Sequence, residues 1–349
     1  VEPDHAGRSI AFRHLLDDAL RAFLGDAVPA FASLASPIGE LSILLSRYRE
    51  EGAALFPQVF VCDALGDALA ALDGADPLFV GRCTFDVDGV RRALKRTAPL
   101  AGVGWSIFFE VRERGFRYGL FRTDGFVLHQ SPMDRLRALQ RAGMSLVGLF
   151  QLEDSVVSIH AASGASRSIY LSGARVDAAP APSLVERLAG RFGGRLAPVL
   201  REGVVQFWRR VLLDSLRLPH GTLVAVVDDA DDVRGRFGDA AILEPALDVP
   251  SLVERYQSRH DEPARAAVYA AATLASGMLG ADGITVVRSD GAALGYNAFI
   301  RHREAGSLAA SGGARRRTYE ALAADVGHGL VAAFYRSQDG ATALAVQDE

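Results

Sequence analysis

Residues 221–227, Gly-Thr-Leu-Val-Ala-Val-Val, make an unbroken apolar run that ends in two acids, Asp228 and Asp229. A strand without polar alternation has both faces buried, so it needs a layer above and a layer below, and a chain built around it is α/β. The neighbouring segments agree with that class. Leu184 to Leu218 is helical in pattern, interrupted at Gly193-Gly194 and at Pro198. Pro263 to Leu279 is an alanine-rich helical stretch, Asp282 to Val287 a second apolar strand, and Ala292 to Ile300 a third, entered through the turn Ser289-Asp-Gly291. Thr318 to Val326 reads as a helix, and Gly329 to Tyr335 and Thr342 to Val346 as strands. A mixed sheet flanked by helices is the expected architecture.

Ahead of this half, residues 177–183 read Asp-Ala-Ala-Pro-Ala-Pro-Ser, small residues with alternating prolines, the composition of an extended spacer. It divides the 349 residues into an N-terminal domain, 1–176, and a C-terminal domain, 184–349, both of ordinary size. The N-terminal part opens with helical periodicity over Ile10 to Leu24 and Ile38 to Tyr48. A strand at Val59 to Cys62, a helix from Ala64 to Leu72, a short strand at Pro77 to Val80 and a helix from Asp88 to Arg96 follow. Trp105 to Val111 and Phe116 to Phe121 form a hairpin candidate with Gly115 in its turn, and further strands are expected near Met144 to Leu152, Val156 to Ala161 and Ile169 to Leu171. Helices first and strands later predict a separate α+β module.

The formal net charge of −4 gives no global attraction to nucleic acid or to an anionic membrane. Cys62 and Cys83 are too few for a disulfide scaffold and lack metal-ligand spacing, which fits reduced thiols in a cytoplasmic protein. No secretory leader is expected, and the best apolar run, Ala266 to Ala281, is too short to span a bilayer. Of 38 basic residues one is a lysine, Lys95, and 37 are arginines. Codon usage in a GC-rich genome accounts for most of that bias, but wherever this protein holds a phosphate an arginine fork must do it.

In the N-terminal half, His129 and His160 stand alone, and Arg112, Arg114, Arg117 and Arg122 alternate with aromatics along the hairpin. That stripe reads either as a solvated strand face or as a surface for an anion. The C-terminal half carries more chemistry. Asp282-Gly283 opens a buried strand, and Gly312-Gly-Ala-Arg-Arg-Arg317 is a glycine-rich turn with three arginines at a helix start. Glycines admit an anion close to the backbone, helix N-terminal amides point at it, and arginines add bidentate bonds. A triphosphate is the natural guest.

The order of these segments, from Gly221 through Asp282-Gly283, Leu294 to Ile300, Gly313 to Thr318 and Leu330 to Phe334, resembles the diadenylate cyclase (DAC) domain of DNA-integrity scanning proteins and cyclic di-AMP synthases, over roughly Val204 to Glu349. The family's markers are Asp-Gly-Ala and, some thirty residues on, Gly-Thr-Arg-His-Arg. This chain departs at four places: Ile284 stands for the alanine, Ala314 for the threonine, Arg316 for the histidine and Tyr335 for a serine. A literal Arg301-His302-Arg303 follows the strand ending at Ile300 and is read as a decoy.

The resemblance implies fusion of two ATP molecules into cyclic di-AMP across a face-to-face pair of domains, with Mg²⁺ or Mn²⁺ and with the N-terminal domain as sensor. Asp282 would bind the metal and orient or deprotonate the 3′-hydroxyl. Gly283, Gly313, Ala314, Arg315, Arg316, Arg317, Thr318, Tyr335 and Arg336 would surround the nucleotide. Arg316 has two readings, added phosphate affinity or repulsion of the metal. The alternative implied by the four departures is a module that binds ATP or a cyclic dinucleotide without turning it over.

Overall fold

The computed structural model describes residues 12–102, 104–153, 155–171, 181–217, 220–228, 231–300, 313–338 and 340–347. The chain divides into two compact units: the first is 1–125 with 130–176, the second 126–129 with 177–349. Each is a mixed, largely antiparallel sheet with helices on both faces, so the chain is of the mixed α and β class expected from the sequence.

In the first unit the elements run α1 (Phe12–Ala27), α2 (Ala35–Leu45), β1 (Arg49–Glu50), β2 (Ala53–Ala54), β3 (Val59–Cys62), α3 (Leu65–Leu72), β4 (Ala75–Cys83), α4 (Val87–Thr97), β5 (Trp105–Arg112), β6 (Gly115–Arg122), α5 (Pro132–Ala138), β7 (Leu146–Glu153), β8 (Val156–Ala161) and β9 (Ser166–Tyr170). The sheet order is β4-β6-β5-β3-β7-β8-β9, with β3 and β5 parallel and the other neighbours antiparallel. Successive strand residues face opposite ways, and the sequence fills both faces. Val59, Val61, Ile107 and Phe109 join a core with Leu20, Leu41 and Leu94 of α1, α2 and α4. Phe60, Cys62 and Phe108 join another with Leu65 and Leu72 of α3 and Leu136 of α5.

Three of the four arginines of the hairpin stripe, Arg112, Arg117 and Arg122, are engaged in ion pairs. Glu110, only 2% exposed, receives Arg117 Nε at 2.6 Å and a guanidinium nitrogen of Arg112, and Arg122 sits on Asp76 at 2.6 Å. These three side chains are thus held by carboxylates on the strand face.

In the second unit the elements are α6 (Ala181–Ala189), α7 (Pro198–Ser215), β10 (Thr222–Val227), α8 (Asp231–Arg236), β11 (Phe237–Gly238), β12 (Ala241–Leu247), α9 (Val249–Arg259), α10 (Glu262–Gly280), β13 (Ile284–Arg288), β14 (Ala293–Ile300), α11 (Ala314–Ala324), β15 (Leu330–Arg336) and β16 (Thr342–Val346). The sheet order is β11-β14-β13-β10-β15-β16, with β12 also on β14. β10 and β13 are parallel, joined by a crossover that contains α10, and β15 returns antiparallel to β10. Val224, Val226 and Phe334 pack against Trp208 of α7 and Val268 of α10. Leu223, Ala225 and Ile284 pack on the other face with Leu322 of α11. The indole of Trp208 is fully buried and donates to the Gly291 carbonyl at 2.8 Å, tying α7 to the β13–β14 turn.

Two boundaries differ from the sequence expectation. Ala181–Ser183, read as the end of the spacer, is the first turn of α6, because proline is tolerated in a first helical turn; 177–180 lie outside the described residues. α11 starts at Ala314, ahead of the expected Thr318. Among the described residues no helix is long and apolar enough to cross a membrane.

Candidate functional site

The register of the second sheet determines what can meet. Pairing of Leu223 with Ile284 and of Thr222 with Arg336 puts the starts of β10 and β13 and the end of β15 on one edge. His220-Gly221, Asp282-Gly283 and Arg336-Ser337 leave the sheet there, and the N-terminus of α11 joins them. This is the edge opposite Asp228, where a carboxyl-end site in a parallel sheet would have lain. Asp228 is exposed and lies 4.0 Å from Arg195.

At this edge the two sequence markers come together. Arg315 donates to Asp282 Oδ1 at 3.1 Å across 33 residues of sequence. Asp282 is 75% exposed and Arg315 30%, so the pair is a solvent-facing one that contributes at most about 1 kcal/mol. Gly221 makes room for it: a Cβ there would lie 3.2 Å from the Arg315 guanidinium and 2.5 Å from the Arg336 carbonyl oxygen. Gly221 is a site residue that motif reading missed, and its only sequence signal is a glycine immediately before a buried strand.

Gly283 is required by the backbone. Its φ is +84°, and a Cβ would meet the Asn297 and Ala298 backbone at 2.9 to 3.0 Å. Gly313, in contrast, has nothing within 4 Å of where a Cβ would be. It caps α11 with extended backbone and no side-chain bond, and no acidic residue occupies the first turn. Three arginines in that turn stand against the positive end of the helix dipole, an arrangement that an anion at the helix start would relieve.

The remaining predicted residues divide. Arg316 is paired with Glu320 one turn along α11 at 3.1 Å. The hydroxyl of Thr318 donates back to the Ala314 carbonyl at 3.1 Å. Arg317 is exposed. Tyr335 stacks on Tyr319 of α11, ring centroids 5.6 Å apart, and Arg336 is 3% exposed with its guanidinium donating to the His220 carbonyl at 3.1 Å. Tyr335 and Arg336 thus secure the sheet edge beneath the cluster. Ile284 is 1% exposed and part of the core beside α11. Arg301-His302-Arg303 and Gly312 lie outside the described residues.

As a cation site the cluster offers one carboxylate, Asp282, with a guanidinium beside it. Among the described residues no three metal-ligating side chains converge anywhere. A hard divalent cation takes about six oxygens, with Mg²⁺ commonly held by one or two carboxylates together with waters and substrate phosphates, and of these residues Asp282 could supply one. The thiols are no better placed for chemistry: burial pushes Cys62 up to about 12 and Cys83 up to about 11, with neighbouring carboxylates adding to the shift. Compared with protein-family models, curated proteins and solved structures, the chain matches none.

Proposed function

We propose that the second unit handles ATP as a diadenylate cyclase does, condensing two molecules into cyclic di-AMP, with the first unit as its sensor. The observation that carries this reading is the meeting of Asp282 with Arg315 beside a helix start that carries three arginines and no acid. It supplies the two things such a phosphoryl transfer needs, a carboxylate and a phosphate clamp.

The exposed Asp282–Arg315 pair is cheap to open. A nucleotide phosphate takes Arg315 through two parallel N–H bonds, a stronger partner than a single carboxylate contact, while the amides at the start of α11 add their partial positive charge. That exchange leaves the Asp282 carboxylate able to accept the 3′-hydroxyl proton. The 3′-oxygen then bonds to the α-phosphorus of the second nucleotide, the bond to the bridging oxygen of the β-phosphate breaks, and pyrophosphate departs with the electron pair. The same step in the other direction closes the ring, which requires two copies of the domain. A divalent cation would arrive on the nucleotide phosphates, and among the described residues of the cluster Asp282 is the side chain that would hold it.

A second reading, binding without turnover, is favoured by one specific observation: Arg316, in place of the family's histidine, is engaged with Glu320. Incubation with ATP and Mn²⁺ or Mg²⁺, followed by mass spectrometry, separates the two. Cyclic di-AMP that rises more than linearly with protein concentration and vanishes in Asp282→Asn supports the cyclase. ATP binding without product at any protein concentration or metal leaves the binding module.

A further inference from the structure

The first unit has a cavity of about 330 Å³ between the end of α2, the β1–β2 hairpin and α4. The hairpin turn, Glu51-Gly52, has positive φ at both residues, the geometry of a tight two-residue hairpin. Leu44 and Tyr48 form the apolar part of the wall, and Arg49, Glu50, Glu51 and Lys95 bring charge to it. None of these four makes an ion pair with any described residue. Arg49 donates only to the Gly52 carbonyl, at 3.3 Å, and Glu50 accepts only the Tyr48 hydroxyl, at 3.2 Å. The contrast within the same wall is Arg91, whose charge is taken by buried Glu40 at 2.7 Å.

Two cations and two anions therefore line one solvent-open pocket without pairing with each other. A simple anion entering it meets two glutamates, and a simple amine meets the cations. A molecule carrying both charges satisfies all four. The volume lies at the small end of ligand cavities, which run from about 300 to 1,000 Å³, and suits an amino acid better than a nucleotide. Lys95 brings a different kind of cation to the wall than Arg49. It is the one lysine among 38 basic residues. A compact, flexible ammonium differs from a planar fork in what it can follow into a small site.

We propose that this cavity binds a small zwitterion of the α-amino acid class, its carboxylate on Lys95 and Arg49 and its ammonium on Glu50 and Glu51. The inference is independent of the nucleotide chemistry of the second unit.

The single lysine provides the test. Reductive methylation of the full chain with ¹³C-formaldehyde keeps the charge and places one lysine signal in a carbon–proton correlation spectrum, beside that of the terminal amine. The common amino acids are titrated at fixed ionic strength, with 3-phenylpropionate and phenethylamine as single-charge analogues of phenylalanine. The expected result is a saturable shift of the Lys95 signal with one or more amino acids, and an affinity at least about tenfold weaker in Glu51→Gln, a turn residue whose replacement leaves the unfolding midpoint in place. An unmoved signal with every amino acid overturns the proposal. So does an equal shift with 3-phenylpropionate, which would make the site a carboxylate reader, or an unchanged affinity in Glu51→Gln.

Discussion

The Glu110 carboxylate reaches the backbone amide of Leu65, 45 residues away, at 3.2 Å, and so caps the start of α3 from the neighbouring strand β5. The same buried side chain holds Arg112 and Arg117. Removing it strips a cap, a buried acceptor and two ion-pair partners at once. Glu110→Ala is expected to lower the stability of the first unit by about 2–4 kcal/mol. Glu110→Gln, which keeps one acceptor oxygen, should lose about half of that. Urea unfolding followed by circular dichroism measures both.

His160 is 3% exposed and bonded to the Ser158 hydroxyl at 2.7 Å. Burial, helped by the charge of Arg137, lowers its pKa from 6.5 to about 4. The folded state therefore prefers the neutral ring. Its contribution is fully present above pH 6.5 and is lost as the pH falls from 6.5 towards 4, by up to about 3 kcal/mol. In His160→Gln the stability of the first unit should change less between about pH 7.5 and pH 5; an identical pH dependence would rule this role out.

Ile284 stands where the resemblance implies alanine, yet its side chain fills the core between β13 and α11. Ile284→Ala should cost about 2–4 kcal/mol of stability through the cavity it leaves. It should not tighten ATP binding, because the side chain does not occupy the site. A variant that bound ATP more tightly without losing stability would show that the isoleucine crowds the nucleotide.

Arg315 and Arg316 are adjacent but differently engaged, one on Asp282 and the other on Glu320. Arg315→Ala is expected to weaken ATP binding by about ten- to a hundredfold, the loss of a charged bidentate contact. Arg316→Ala should change it by less than about threefold. Equilibrium dialysis with labelled ATP gives both constants, and equal losses would place Arg316 in the phosphate clamp as well.

Where one pattern dominated, the sequence was legible. Val59–Cys62 is a strand residue for residue, and the hairpin falls on Trp105–Arg112 and Gly115–Arg122. α9 went unseen because it buries only Val249, Pro250 and Val253, too little to stand out as a period. α5 had a readable start, a capping box in which Ser131 and Asp134 bond reciprocally, but it is a single short helix beyond that signal. Arg315 to Arg317 read as standing at a helix start, and α11 includes all three in its first turn. At the site, the sequence pointed to Asp282 and Arg315. It could not reveal that Arg316, Thr318, Tyr335 and Arg336 are already committed to protein partners, because those bonds depend on helix phase and strand register.

Residues 126–129 belong to the second unit although 130–176 return to the first. Phe126 is 3% exposed there, 4.7 Å from the ring of Tyr256 and under the guanidinium of Arg265 at 4.8 Å, and the His129 ring lies 3.2 Å from the Tyr256 hydroxyl. A single cut at the spacer consequently does not yield two whole folding units. A fragment that begins at Asp177 arrives without one of its own core aromatics, and supplying residues 126–129 as a separate peptide should raise its melting temperature. Cleavage at that point is a chain break that the second unit registers as a missing part.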